Sequence, residues 1–299
     1  MLKSHATRII APLLGLVAYY VILHGNFGGW KLVPPPSQTS KLTDQDSRQL
    51  LESSDSFRRQ GQPEKALPLL QQLRAAYPQN HIYMRQMAEV YHQLGRFKEE
   101  AATWEDFLKV APLPVEGCPS IILAYQRSAQ AKESIDAAKR CVDIDPNNLD
   151  FSYYLGYSYE LEKQFEKAVE VYSAAMPRDE KNMDLRVGLA RTRMHQGNPS
   201  QALELAGEVL KHSPQNVDAM LVMGLSFWHQ GNLVQARNYL EKGAAVAHEY
   251  TEFYVALGKI AEEENQKGKA KEAYSHALKL EPNNQDIAQR LQSLQEGVR

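Results

Sequence analysis

Cysteine is scarce. Two residues, Cys118 and Cys141, in a chain of 299 are too few for a disulfide-built scaffold or a four-cysteine zinc site. Charge of one sign is missing as well. Lys and Arg number 34 against 36 Asp and Glu, the net charge is −2, and no block of like charge stands out. A basic footprint for nucleic acid is therefore absent. There is no His-Glu-x-x-His, no Gly-x-Ser-x-Gly and no phosphate-binding loop. "QKGKAKE" (266–272) lacks the spaced glycine and the hydroxyl such a loop needs, and reads as a solvated turn. Nothing in the sequence supports an enzyme, a cofactor or a small-molecule substrate.

Long apolar runs are also few. "IIAPLLGLVAYYVIL" (9–23) carries no charge, and its fifteen residues fall short of a bilayer core at about 1.5 Å per residue. Extending it to Phe27 gives nineteen, with Tyr19, Tyr20, Phe27 and Trp30 placed like interfacial aromatics. The expectation is a transmembrane anchor at 9–27 after a short tail, 1–8. A cleaved signal peptide shares the charged start and apolar middle, although "LHGNFGG" offers no small-x-small cleavage site, and a buried helix is the third reading. Lys3 and Arg8 before the span favour a cytoplasmic N-terminus and an exported remainder, periplasmic or otherwise extracytoplasmic, while Lys31 and Lys41 weaken that bias. Residues 28–46, with Pro34, Pro35 and Pro36, read as an extended linker.

What the chain has in abundance is a period. Steps of 34 from Pro78 land on Pro112, Pro146, Glu180, Pro214, His248 and Pro282, so five of seven landings are proline. Twelve residues before each landing stand Ala66, Glu100, Ser134, Ala168, Ala202, Ala236 and Ala270. Twenty-four before stand Ser54, Ala88, Ile122, Gly156, Ala190, Gly224 and Gly258, small in all but one case. Within 149–180, Leu155, Tyr159, Ala168, Tyr172 and Ala175 fall at helical spacing on two segments. Small residues let two antiparallel helices approach, and Tyr159 and Tyr172 fill the space around them. Gly95, Gly197 and Gly231 sit where the first helix of a pair stops, and the recurring proline ends the second. Asp150, Asp184, Asp218, Glu252 and Asp286 fall in first turns, where a carboxylate suits the helix dipole.

Cys118 opens one helix of the third unit and Cys141 closes the other. In an antiparallel pair those ends meet, which allows a disulfide; two small residues filling interhelix slots is the alternative. His92, His195 and His229 close first helices of different units, too far apart to share one metal ion. "EEEN" (262–265) reads as a solvated helix end.

This pattern resembles the tetratricopeptide repeat family, helix–turn–helix units of 34 residues. The resemblance implies an all-α fold: a right-handed superhelical solenoid of about seven repeats over 47–284 (47–80, 81–114, 115–148, 149–182, 183–216, 217–250 and 251–284), with a capping helix and tail at 285–299, preceded by the N-terminal transmembrane helix. It also implies that first helices line a concave groove that binds a protein or peptide. Carried over by register, that groove includes Arg127, Tyr153, Tyr154, Tyr157, Glu160, Arg191, Leu221, Leu225, Trp228 and His229, with Arg127, Glu160 and Arg191 orienting the partner. Met194 and Val222 fall in the same register. The slots of a carboxylate-clamp repeat hold Leu51, Asp55, Arg85 and Glu89 here, which argues against that ligand class.

One argument needs no family. "VDAMLVMGLSFWHQG" (217–231) is apolar nearly all round, yet in a solenoid one side of a first helix faces the groove. Either that face is a binding patch or neighbouring helices cover it. The functional expectation is a membrane-anchored scaffold or adaptor. A non-catalytic subunit of a membrane-bound cell-envelope or cytochrome assembly complex, and a self-assembling homo-oligomer, are the alternatives.

Overall fold

A computed structural model describes residues 42–296. The expected tail, span and nearly all of the linker lie outside the described residues, and among those described no helix is long and apolar enough to cross a membrane. Among the described residues one compact unit begins at Gln45. Its fifteen helices come in pairs: α1 Asp44–Arg59 and α2 Pro63–Ala76, α3 His81–Gln93 and α4 Phe97–Val110, α5 Cys118–Arg127 and α6 Ala131–Ile144, α7 Leu149–Leu161 and α8 Phe165–Ala175. The series continues with α9 Met183–His195 and α10 Pro199–His212, α11 Val217–His229 and α12 Leu233–Val246, α13 Thr251–Glu263 and α14 Lys267–Leu280, and closes on the single α15 Gln285–Glu296. The first helix begins three residues before the expected repeat boundary, and "QKGKAKE" is the start of α14 rather than a turn. Ala270 explains that difference. It is fully buried in the small-residue slot, so packing draws the preceding lysines into the helix.

Local rules set the pairs. Asn80, Asn148, Asn182 and Asn216 cap α3, α7, α9 and α11, each side-chain oxygen accepting a backbone N–H of the first turn. The turn inside each pair places one residue at positive φ: Gly61, Gly95, Ala129, Lys163, Gly197, Gly231 and Asn265, again 34 apart. The fold imposes the left-handed conformation even where the residue resists it, at about 1–2 kcal/mol for a residue with a Cβ. Lys163→Gly is accordingly expected to raise stability by about 0.5–1 kcal/mol, less than the full relief because glycine also frees the unfolded chain. A urea midpoint at or below that of the parent would contradict this.

Second helices end two residues before Pro78, Pro112, Pro146, Pro214 and Pro282, and α12 ends equally early before His248. At Glu180 the proline has moved to Pro177, inside a short 3₁₀ turn, and α8 stops sooner. The third pair is irregular. Pro114–Gly117 forms a 3₁₀ turn, leaving α5 only ten residues against thirteen in α3, α7, α9, α11 and α13. A disulfide between Cys118 and Cys141 ties the start of this short helix to the end of α6, with Cα atoms 5.7 Å apart.

From α2 onward each helix packs on the next, and a second set of contacts joins α5 to α7, α7 to α9, α9 to α11 and α11 to α13. Among the described residues, second helices of neighbouring pairs show no packing of that extent. A stack whose first helices approach one another while its second helices splay must curve with the first helices inside. That curvature creates a groove walled by odd-numbered helices. The core follows it as linked apolar clusters, from Met84 through Phe151 and Tyr172 to Val209, Leu240, Phe253 and Ile287.

Candidate functional site

The inner wall changes character along its length. At its N-terminal end it is charged and internally paired: Arg58 bonds to Asp55 and Glu89, and Arg85 to Glu116. Glu100 is buried in the alanine slot of the second pair, and its carboxylate meets His92 Nδ1 at 3.1 Å, so the outlying glutamate has a polar partner. Arg127 is exposed, stands 3.3 Å from the same Nδ1 and lies over the Phe97 ring.

In the middle, α7 and α9 close on a buried polar knot. Tyr172 is fully buried, and a Cβ at Gly156 or Gly188 would stand 2.4 or 2.7 Å from its ring. Those two glycines let α7 and α9 press on the ring and aim its hydroxyl, which donates to Glu160 Oε1 at 2.7 Å. Arg191 on α9 donates from Nε to Glu160 Oε2 at 2.7 Å and from Nη2 to Oε1 at 3.2 Å, and its guanidinium covers the Tyr157 ring. The Glu160 side chain is 5% exposed and that of Arg191 16%. Burial alone would lower the guanidinium's proton affinity, but the adjoining Glu160 carboxylate holds it well above its ordinary value. Burial and the same carboxylate hold the Tyr172 phenol far above its usual range. Glu160 and Arg191 therefore neutralise each other and do not present free charge to a partner, contrary to the expectation from register. Met194 and Val222 are core residues, 4% and 2% exposed, because they turn toward the second helices.

From this knot onward the wall offers half-buried apolar surface. Tyr153 and Tyr157 stack with centroids 6.4 Å apart, Tyr153 meets Tyr154 edge-on, and Leu221, Leu225 and Trp228 continue the row on α11. Trp228 donates from Nε1 to Glu263 at 2.9 Å, and Lys259 lies over its ring. His229 is exposed beside Trp228. Leu225, Trp228, Val255 and Ala256 wall a cavity of about 310 Å³, with Glu252 and Glu281 among its other lining residues. Val255, Lys259 and Glu263 on α13 were missed by the sequence reading. Their signal was available, since each lies 34 or 35 residues beyond Leu221, Leu225 or Trp228. The three glutamates of "EEEN" are not simply solvated. Glu262 pairs with Arg290, Glu263 receives Trp228, and Glu264 pairs with Arg237.

Fold and site together define an all-helical repeat solenoid with an inner wall of first helices. Tetratricopeptide-repeat sequence profiles match residues 51–109 and 121–182, 160–206 and 193–260, and 251–284, together well over half the chain. The chain belongs to the tetratricopeptide-repeat family. No curated protein matches it. Among solved structures it is similar to a tetratricopeptide repeat protein from Parabacteroides merdae, with 17% identity, a TM-score of 0.75, and coverage of 84% of this chain and 99% of that one. It is also similar to PilW, described as a widely conserved type IV pilus biogenesis factor, with 16% identity, a TM-score of 0.57, and coverage of 72% and 97%. A third likeness is to MamA from Desulfovibrio magneticus, with 19% identity, a TM-score of 0.50, and coverage of 58% and 98%. At these identities the likeness establishes the fold alone.

Proposed function

We propose that the protein is a scaffold that captures an extended segment of a protein partner in the groove of its last four pairs, and that the segment at 9–27 holds it at a membrane with the repeats on the extracytoplasmic side. The observation that carries the binding reading is the half-buried row Tyr153, Tyr157, Leu221, Leu225 and Trp228, ending at the cavity between α11 and α13. Aromatic anchors in a partly desolvated concavity are the residues that dominate protein interfaces. Two further features support the location: the uncharged span with basic residues before it, and the disulfide, a bond that persists outside reducing compartments. The proposed role is binding rather than catalysis.

The test is crosslinked capture in cells from the full-length chain beside a Leu225→Ala/Trp228→Ala variant. Each truncation removes an anchor worth about 1–2 kcal/mol, so the recovered partner should fall at least tenfold while helicity by circular dichroism is retained. Equal recovery from a normally folded variant would refute the groove reading.

A further inference from the structure

Above the apolar row runs a second one. Asp150, Asp184, Asp218 and Glu252 occupy the first turns of α7, α9, α11 and α13 at one phase of the repeat. First-turn carboxylates are ordinary helix furniture and by themselves imply no ligand. Here, however, the four recur at 34-residue steps on first helices that pack on one another, and Asp150, Asp218 and Glu252 stand three residues before Tyr153, Leu221 and Val255 of the groove wall. The Asp184 carboxyl is held above its ordinary range, first by burial and then by the negative charges of Asp150 and Asp218. The phenols of Tyr153 and Tyr157 are raised chiefly by burial, with the negative charge of Asp218 contributing to both and that of Glu252 to Tyr157. None of the four takes part in a salt bridge among the described residues, and Asp218 accepts only the Tyr250 hydroxyl, at 3.1 Å. Of the groove cations nearby, Arg191 is bound to Glu160 and Lys259 lies over Trp228. Glu263 and Glu281 add further acid at the cavity end.

An apolar floor, a cavity with room for one large side chain, and a row of carboxylates outside any salt bridge along one side fix the chemistry of the occupant, with Lys259, among the described residues, the one cation that shares the cavity lining with Glu252. Resting on the groove reading above, we infer that the partner segment is an extended basic peptide that places a bulky apolar residue in the Leu225–Trp228–Val255 cavity and Lys or Arg side chains along the Asp150–Asp184–Asp218–Glu252 row. The geometry also sets a spacing. Packed helices lie about 8–10 Å apart and an extended chain advances about 3.3 Å per residue, so successive cations match successive acids when they recur about every third residue. Coulomb repulsion favours the same occupant. Four like charges in one row repel one another, and a cationic side chain between each pair relieves a repulsion the free protein must bear.

The test uses the full-length chain in detergent and three labelled synthetic peptides sharing one central phenylalanine: one with Lys at every third position, one with Glu there, and one with Gln. Fluorescence anisotropy is expected to rank Lys over Gln over Glu, with at least a tenfold gap between the first and last, closing as salt is raised. Asp184→Asn/Asp218→Asn, which keeps side-chain shape, should reduce Lys-peptide affinity about tenfold and leave the Gln peptide unchanged. Glu166→Gln/Glu170→Gln, which removes two exposed charges from α8, should change neither. Trp228→Ala should weaken Lys and Gln peptides alike. If Trp228→Ala acts but the Glu peptide binds as well as the Lys peptide, the charge assignment is overturned and the groove stands. If Trp228→Ala changes nothing, the groove reading falls with it. No Lys-peptide binding by about 1 mM, or self-association abolished by Trp228→Ala in its place, also overturns the inference.

Discussion

Arg191→Ala is expected to destabilise the protein by about 3–5 kcal/mol, far more than an ordinary surface arginine would. The reason is what the mutation leaves behind. Glu160 keeps a single buried partner, the Tyr172 hydroxyl, and its carboxylate lies where water does not reach it freely. Elsewhere the inter-repeat ion pairs, Arg74–Asp106 or Arg140–Glu105, are partly exposed, and pairs of that kind contribute about 0–1 kcal/mol. The knot also sits at the junction between the fourth and fifth pairs. In a repeat stack, stability is nearly a sum of unit and nearest-neighbour terms, so weakening one junction should split urea unfolding into two phases. The double variant Glu160→Gln/Arg191→Met, which removes both charges, should recover most of the loss. A single unfolding transition with an unchanged midpoint in Arg191→Ala would show that water reaches the knot.

The second large effect is expected at the third pair. Cys118→Ala/Cys141→Ala should cost about 3 kcal/mol, the chain-entropy value for a closed loop of this size, and reduction of the wild type should do the same. The sequence separation is 23 residues, and the loop encloses all of α5 and most of α6. Because α5 has lost a turn to the Pro114–Gly117 bend, it has less packing of its own to fall back on. Hydrogen exchange should therefore quicken in α5 and α6 first, while α9 to α14 keep their protection. Uniform change along the chain, or none, would mean that neighbouring pairs hold α5 without the bond. Both cysteines are fully buried, so reduction in solution will require opening of this pair.

Much of the fold was legible because each repeated residue obeys a local rule. Proline cannot continue a helix, a small residue lets two helices approach, and the turn inside each pair needs positive φ. Such rules act within a few residues and recur every 34. The asparagine caps were equally legible, standing at 80, 148, 182 and 216. Ala129 and Lys163 were not, since nothing in either residue type announces a left-handed backbone. The site was readable only as a register. Phase alone puts Glu160, Arg191, Leu225 and Val222 on candidate groove positions and gives no means of separating buried from open ones.

By itself, then, the sequence determined the period, the number of helix pairs, their all-helical class and the apolar excess of α11. Those follow from local preferences and from which residues must leave water. Tertiary structure decided the pairing of Glu160 with Arg191 across 31 residues, the burial of Met194 and Val222, and the meeting of Cys118 with Cys141. Each depends on how one pair rotates against the next. That rotation is set by the sum of many side-chain contacts across the stack, and no single residue encodes it.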